Sequence, residues 1–222
     1  MKVDAVIVAA GSSTRFGAQD KLLADLAGRP VLAWSLAAFE ASVGLGCVAI
    51  VTARERVAEV TRVAEEWCPK ARFRVIEGGA RRRDSVEAGL RACSTRYVAI
   101  HDGARPLVTP DLIARCVAAA EGKPGAIAAV PVTDTIKEVR AGVVTGHPER
   151  SMLYAAQTPQ VVLRQAWLDA AAMSDNDETD DAAMLARLGL DVGIAAGDPE
   201  NIKITRPSDL EVAAAILRSR GQ

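Results

Sequence analysis

Val3-Asp4-Ala5-Val6-Ile7-Val8, followed at once by Ala9-Ala10-Gly11-Ser12-Ser13-Thr14-Arg15-Phe16-Gly17 and then by Lys21, decides the fold class of this chain. Apolar residues at adjacent and alternate positions mark a strand buried on both faces, and such strands belong to α/β sheets. In those sheets ligands sit beyond the carboxyl ends of the strands. The loop leaving this strand is built from Gly, Ser and Thr, whose backbone N–H groups can turn toward an anion. Arg15 and Lys21 bring full positive charge to the same place. A ligand carrying phosphate is implied.

The standard phosphate motifs do not fit this loop. A Walker A sequence requires Gly-x-x-x-x-Gly-Lys-Ser/Thr, whereas Gly11 and Gly17 stand one residue too far apart and Ala18 takes the place of the lysine. In a dinucleotide fingerprint the second and third glycines would fall on Ser13 and Phe16.

Outward from the loop, strand-like runs at 3–8, 47–51, 73–76, 97–100 and 126–130 alternate with helix-like segments at 30–41, 55–67, 84–92, 110–120, 161–172, 179–188 and 207–218. That alternation predicts a Rossmann-like, three-layer α/β domain with a mostly parallel sheet and crossover helices. Pro30, Pro110 and Pro207 suit first helical turns, and Thr109, Asp84 or Ser85 can cap. Over 132–157 the pattern changes to Thr-rich, Gly-punctuated segments, which predicts a β-hairpin arm projecting from the sheet. An isolated hairpin is marginal in water, so the arm is expected to pack on a second protomer. The whole of 1–222 reads as one domain carrying this arm.

Composition removes several function classes. The formal net charge is −1, so no global field draws the chain to nucleic acid or to an anionic membrane. Aromatics make up 4% and do not alternate with basic residues, which argues against a base-stacking surface. Cys47, Cys68, Cys93 and Cys116 lie more than twenty residues apart, with His101 and His147 the two histidines, so a zinc site is not expected. These read as free thiols of a reducing compartment, and with no apolar run of about eighteen residues the protein is expected in the cytoplasm.

Further cations gather at strand ends. Gly78-Gly79-Ala80-Arg81-Arg82-Arg83-Asp84-Ser85 follows the third strand, and cations at a helix start oppose its dipole, which favours a functional reading. His101-Asp102-Gly103-Ala104-Arg105 ends the fourth. There Asp102 is placed to orient a substrate hydroxyl or steer magnesium, Gly103 allows close backbone approach, and His101 reads as structural. Arg150, Gln157 and Thr158 flank a sharp break. Lys203 falls inside an apolar segment read as a strand, where it needs either solvent at a sheet edge or an anionic partner. The acidic stretch around Thr179, Asp180 and Asp181 reads as a helix start. Convergent cations without a nucleophile suggest transfer at phosphorus.

The ordered segments AAGSSTRFG, GGARRRDSV, HDGARP, PVTDTIK, RSMLYAAQTPQ, TDDAAML and NIKITRPSDL resemble the 2-C-methyl-D-erythritol 4-phosphate cytidylyltransferases of non-mevalonate isoprenoid biosynthesis, over nearly the whole chain. The resemblance implies magnesium-dependent cytidylyl transfer from CTP to the methylerythritol phosphate, with release of pyrophosphate. Carried over by position, Arg15 and Lys21 hold the triphosphate and stabilise the pentacovalent α-phosphate. Ala9, Ala10, Gly11, Ser12, Ser13, Gly79, Arg82, Ser85, Asp102 and Gly103 surround the nucleotide, with Asp102 reaching the metal directly or through water. Arg105, Thr135, Arg150, Thr158, Thr179 and Lys203 line the polyol-phosphate pocket. The family likeness also implies a homodimer whose arm reaches the partner's site.

One stretch departs from the family wording. The family usually reads Pro-Lys-Gln-aromatic-Leu after the glycine loop, whereas Asp20-Lys21-Leu22-Leu23-Ala24 stands here, a Lys-Leu-Leu wording that is similar to molybdenum-cofactor nucleotidyltransferases. Two alternatives remain at this level: a cytidylyltransferase for another polyol phosphate, such as ribitol 5-phosphate, and a non-catalytic nucleotide-binding regulator.

Overall fold

The apolar run at the amino end forms β1 (Val3–Ala9), an interior strand of a seven-stranded sheet in the computed structural model. The structure describes residues 1–11, 16, 20–173 and 178–222. The roles expected of Ser12, Ser13 and Arg15 therefore lie outside the described residues, as do positions 175–177 of the acidic stretch.

After β1 come a small hairpin, β2 (Asp25–Leu26) and β3 (Arg29–Pro30), then α1 (Val31–Glu40), β4 (Leu45–Thr52), α2 (Val57–Trp67), β5 (Arg72–Glu77) and α3 (Arg82–Ala92). The chain continues through β6 (Tyr97–Asp102), α4 (Pro110–Ala120), β7 (Gly125–Pro131), β8 (Glu138–Arg140), β9 (Val143–Gly146) and β10 (Tyr154–Leu163). It ends with α5 (Arg164–Met173), α6 (Asp181–Ala186), β11 (Gly193–Ala196) and α7 (Ser208–Ser219). Sheet order is β11-β7-β10-β6-β1-β4-β5. β1 runs parallel to β4 and β6, β4 to β5, and β11 to β7, while β10 is antiparallel to both neighbours. The predicted mostly parallel α/β sheet is what forms.

Alternation along the strands divides the core into two layers. Ala5 and Ile7 of β1 pack with Leu36 and Phe39 of α1, Val60 of α2 and Leu112 of α4, whereas Val6 faces Leu90 of α3 and Trp167 of α5. Side chains this large and fully buried each contribute about 1.5–3 kcal/mol. Truncating Trp167 to alanine would cost about 3–5 kcal/mol. Thr109 caps α4 by accepting the Leu112 N–H at 3.2 Å, with Pro110 in the first helical position, as expected.

Three readings of the sequence are corrected. The segment 161–172 was expected to be helical, but its first residues belong to β10 and the helix starts at Arg164. Pro159 hid this strand, because proline is foreign to a central strand unless pairing is interrupted. Pairing is interrupted here: Ala156 faces Ala129 and the next paired residue is Gln160, opposite Ile127. The arm is correspondingly shorter than 132–157, since Tyr154 already pairs with Pro131 in the main sheet. Lys203, placed in a strand by its apolar neighbours, lies instead in an extended segment without strand pairing; Ile204 there donates its N–H to the Ala104 carbonyl at 2.7 Å.

The arm carries its own two-stranded sheet, β8–β9. Its turn uses Ala141 (φ 47°) and Gly142 (φ 79°), the left-handed pair that a two-residue hairpin requires. Val139, Val143 and Val144 on this hairpin are exposed, as is Met152 beyond it.

Candidate functional site

The carboxyl ends of β1, β5 and β6 open onto two clefts. The first, about 300 Å³, is lined by Ala10, Gly11, Lys21, Gly79, Arg82, Ser85, Asp102 and Lys203. The second, about 290 Å³, is lined by Arg82, Asp102, Arg105, Gln157, Thr158, Gln160, Thr179, Asp180 and Lys203. Arg82, Asp102 and Lys203 therefore belong to both and form the wall between them. A roomier cavity of about 610 Å³ sits at the opposite end of the sheet, but volume does not identify the site. Its two carboxylates are occupied by backbone N–H groups: Asp4 accepts from Cys47, Ser94 and Thr95, and Glu40 from Lys70 and Ala71.

Asp102, at the last position of β6, is the electrostatic centre. Its Oδ2 lies 2.8 Å from Lys203 Nζ and 3.9 Å from Arg105 Nε, and its Oδ1 is 3.5 Å from Arg82 Nε. Burial alone would raise the carboxyl's pKa, but Arg82, Lys203 and Arg105 outweigh it and hold the group well below the usual carboxylate range. Asp102 is thus a permanent anion that fixes three cations. Arg82 is also gripped from behind by Asp181, at 2.8 Å from Nη2, so three cations face two carboxylates. An arriving phosphate meets three cations held in place by these carboxylates, with Asp180 also bordering the second cleft.

Of the three consecutive arginines, Arg82 belongs to the wall shared by both clefts, while Arg81 lines the first cleft only. Arg82 is the first residue of α3 and points between the clefts. Arg81, at the helix cap, folds back on Asp84 (Nη2–Oδ1 2.7 Å), while the Asp84 carboxylate accepts the Arg81 backbone N–H at 3.1 Å. That reciprocal pair relieves the cost of cations at a helix start. Arg83 is buried and donates to the Ala171 carbonyl of α5 at 2.7 Å, a packing role. Gly79 precedes them because a Cβ there would stand 2.3 Å from Asp84 Cβ.

His101 is structural, as the sequence suggested. It is fully buried, and burial pushes its pKa down to about 4 against the pull of Asp102. A neutral ring whose Nε2–H donates to the Arg105 carbonyl (3.2 Å) leaves Nδ1 to accept the Thr158 hydroxyl proton (3.0 Å). The Thr158 oxygen in turn accepts the Asp102 N–H at 3.1 Å. Both ring nitrogens are engaged, so the imidazole is not available as a base.

The remaining expected residues divide cleanly. Gly11 and Ala10 line the first cleft, whereas Ala9 is buried in β1. The Ser85 hydroxyl reaches the cleft and bonds the Arg81 carbonyl at 3.2 Å. Gly103 lines neither cleft; its N–H donates to Val8 O at 2.9 Å, so the close approach it allows is to β1. Thr158 and Thr179 line the second cleft. Thr135 and Arg150 sit on the exposed arm, where Arg150 Nη1 donates to the Thr133 carbonyl at 3.0 Å, and line neither cleft of their own chain.

Sequence reasoning missed the supports of the second cleft. Gln160 caps α6 with its carbonyl oxygen, accepting the Asp181 and Ala182 N–H groups, and Asn201 Nδ2 donates to the Thr158 carbonyl at 2.8 Å. Asp181, read only as part of a helix start, is buried, and holds the Trp167 indole N–H (3.1 Å) as well as Arg82. A second acid after the capping Asp180 was the one signal in the sequence, and it does not say which acid faces inward.

Residues 3–219 match the family model described as 2-C-methyl-D-erythritol 4-phosphate cytidylyltransferase. Proteins of that name from Synechococcus elongatus and Prochlorococcus marinus are similar to this chain at 41% and 44% identity. These similarities cover 97% of this chain, with 96% and 98% of those proteins. Among solved structures, the 4-diphosphocytidyl-2C-methyl-D-erythritol synthase of Anaerococcus prevotii superposes with a TM-score of 0.86 at 26% identity. It covers 98% of this chain and 96% of its own. The 2-C-methyl-D-erythritol 4-phosphate cytidylyltransferase of Thermus thermophilus gives a TM-score of 0.78 at 30% identity, covering 98% and 100%. Similarity of this extent outweighs the short Lys-Leu-Leu likeness to molybdenum-cofactor enzymes, and the chain belongs to the 2-C-methyl-D-erythritol 4-phosphate cytidylyltransferase family.

Proposed function

We propose that this chain transfers the cytidylyl group of CTP to 2-C-methyl-D-erythritol 4-phosphate in isoprenoid biosynthesis, giving 4-diphosphocytidyl-2-C-methyl-D-erythritol and pyrophosphate. The observation that carries this is the shared wall of two clefts: Arg82, Asp102 and Lys203 border both. CTP takes the first cleft, with Lys21 and the glycine turn at its triphosphate. The polyol phosphate takes the second, beside Arg105, Thr158 and Thr179. The two reacting phosphates then meet at the wall that can neutralise them.

In the reaction an oxygen of the polyol's phosphate forms a bond to the α-phosphorus of CTP. The bond from that phosphorus to the oxygen bridging to the β-phosphate breaks, and pyrophosphate leaves with the electron pair. The attacking oxygen is already anionic, so no general base is needed, in keeping with a neutral and fully occupied His101. Catalysis is then positioning and charge neutralisation by Lys21, Arg82 and Lys203, with Arg15 joining them by family likeness.

Magnesium fits as the counter-ion of the triphosphate. Among the described residues no group of three or more His, Cys, Asp or Glu is placed to hold a metal. Asp102 is the carboxylate of the first cleft, but its oxygens already face Lys203 and Arg82, so it suits water-mediated contact with an ion carried in by phosphate oxygens. What the ion supplies when bound is further neutralisation of phosphate charge.

A homodimer is proposed from the arm. Its exposed valines need cover, and Thr135 and Arg150 stand away from their own clefts, as groups serving a partner's second cleft would. Cytoplasmic residence is proposed on four free cysteines, three of them buried with pKa values pushed up to about 12 by burial. Among the described residues no helix is long and apolar enough to cross a membrane.

The test is pyrophosphate release from CTP with magnesium and a panel containing 2-C-methyl-D-erythritol 4-phosphate, ribitol 5-phosphate and no polyol. Release with the first alone is expected. Release with the ribitol compound alone transfers the reading to that substrate, and CTP binding without release in any arm would mean a regulator.

A further inference from the structure

Two arginines stand in the short 3-10 turn that follows β4, and the structure treats them oppositely. Arg54 has a side chain 84% exposed and pairs with Glu77 at the surface, an arrangement worth little. Arg56 is 13% exposed and reaches under the first cleft. Its Nη1 donates to Asp20 Oδ2 at 2.6 Å, and its Nη2 to the Gly11 carbonyl at 3.2 Å. One planar guanidinium therefore ties together two chain positions that are nine residues apart.

Both tied positions matter to the cleft. Gly11 lines it directly. Asp20 starts the turn that presents Lys21: its Oδ1 accepts the Leu22 N–H at 2.9 Å and its carbonyl accepts the Leu23 N–H at 3.2 Å. Leu22 is in turn buried, its carbonyl accepting the Leu32 N–H at 2.9 Å. Lys21 thus rides on a turn fixed from inside by Leu22 and from outside by Arg56. A side-chain turn at Asp20 and its ion pair with Arg56 supply the stiffness of this segment.

We propose that Arg56 is a positioning residue for nucleotide binding: through Asp20 and the Gly11 carbonyl it sets the separation between the glycine turn and Lys21, and so the fit of a nucleoside triphosphate. The proposal rests on the first cleft being the nucleotide site. Arg56 lines neither cleft, so its effect travels through its two partners. Asp20, being engaged by Arg56, is a structural anion.

The test is a double-mutant cycle of Arg56→Met, which keeps the stem and removes the fork, with Asp20→Asn, and Lys21→Ala as the reference. Calorimetry with a non-hydrolysable CTP analogue reads nucleotide affinity, and steady-state assays read kcat and the KM for the polyol phosphate. Arg56→Met should lose about 10- to 100-fold in CTP affinity and kcat combined, the scale of a misplaced binding group, with the polyol-phosphate KM within about twofold. The double variant should be no worse than the poorer single one, because both break one linkage. Arg56→Lys, which keeps the charge but not the fork, should recover part of the loss, and it stands in with Asp20→Asn if Arg56→Met does not fold. CTP affinity and kcat unchanged in Arg56→Met beside an impaired Lys21→Ala overturns the clamp alone. If Lys21→Ala is also unimpaired, the nucleotide assignment of the cleft falls as well. Additive losses in the cycle likewise overturn the clamp.

Discussion

Lys203 Nζ lies 2.8 Å from Asp102 Oδ2, joining the segment before α7 to the end of β6 across a gap of 101 residues in sequence. Asp102 positions this ammonium at the boundary of the two clefts, where it can reach a phosphate in the second. Lys203→Met keeps the stem and removes the charge. We expect kcat/KM for the polyol phosphate to fall about 100-fold, corresponding to roughly 3 kcal/mol of lost transition-state stabilisation, with CTP affinity within about threefold. Equal losses for both ligands, measured by calorimetry and steady-state kinetics, would show that the clefts are divided wrongly.

Removing the anion instead of the cation has a different signature. Asp102→Asn leaves Arg82, Arg105 and Lys203 facing one another, with Asp181 still paired to Arg82. Breaking a mostly buried pair from one side costs about 3–5 kcal/mol, so the denaturant midpoint should drop accordingly. An anion can then substitute for the lost carboxylate. Pyrophosphate should raise the thermal midpoint of the variant more than that of the parent, by mass action on a tighter site. A variant of parental stability, with no larger shift, would mean that Asp102 does not organise these cations.

What the sequence revealed follows from which residues act locally. β1, β4, β5, β6 and β7 announce themselves as apolar runs, and Asp102, Arg82 and Arg105 could be placed at strand ends from that alone. β10 could not be found, because Gln157, Thr158, Pro159 and Gln160 spell a loop. Their polar groups are satisfied only by residues far along the chain: Gln157 Nε2 by Asp198, and Thr158 by His101, Asp102 and Asn201. Lys203 was placed in a strand because its apolar neighbours imitate one, and of the two alternatives open for it the anionic partner holds, a distant Asp102 that sequence could not name. Nor does sequence distinguish Arg56 from Arg54, or Asp181 from Asp180; burial chooses between them after the chain has folded.

His101 gives a pH signature that separates from the carboxylates. An unfolded histidine titrates near about 6.5, and burial holds the native ring down to about 4. Between these values the unfolded chain binds a proton that the native state refuses. Stability should therefore fall as pH drops from about 6.5 toward about 4, by at most about 1.4 kcal/mol per unit, and the histidine contribution should level off below that. The lowered carboxyl pKa values of Asp102 and Asp4 act in the same direction but in a more acid window, their stabilisation being present above the unfolded carboxyl value and lost as pH falls below it. Urea unfolding of the parent and of His101→Gln between pH 4.5 and 7 checks this. A slope that persists unchanged in the variant would assign it to other groups.

Thr135 is exposed on the arm, away from both clefts of its own chain, whereas Lys21 lines the first cleft. If the arm completes the partner's site, Lys21→Ala and Thr135→Glu homodimers should each be nearly inactive, the glutamate by repelling the substrate phosphate. In a mixed dimer both lesions fall on one site and the other is intact, because a two-fold interface exchanges the same element in both directions. With random exchange about half the dimers are mixed and each has one working site, so roughly a quarter of parental activity should return if the sites act independently. Subunit exchange is verified with differently tagged chains before assay. Activity that stays at the sum of the two separate mutants after exchange would show that each arm serves only its own chain.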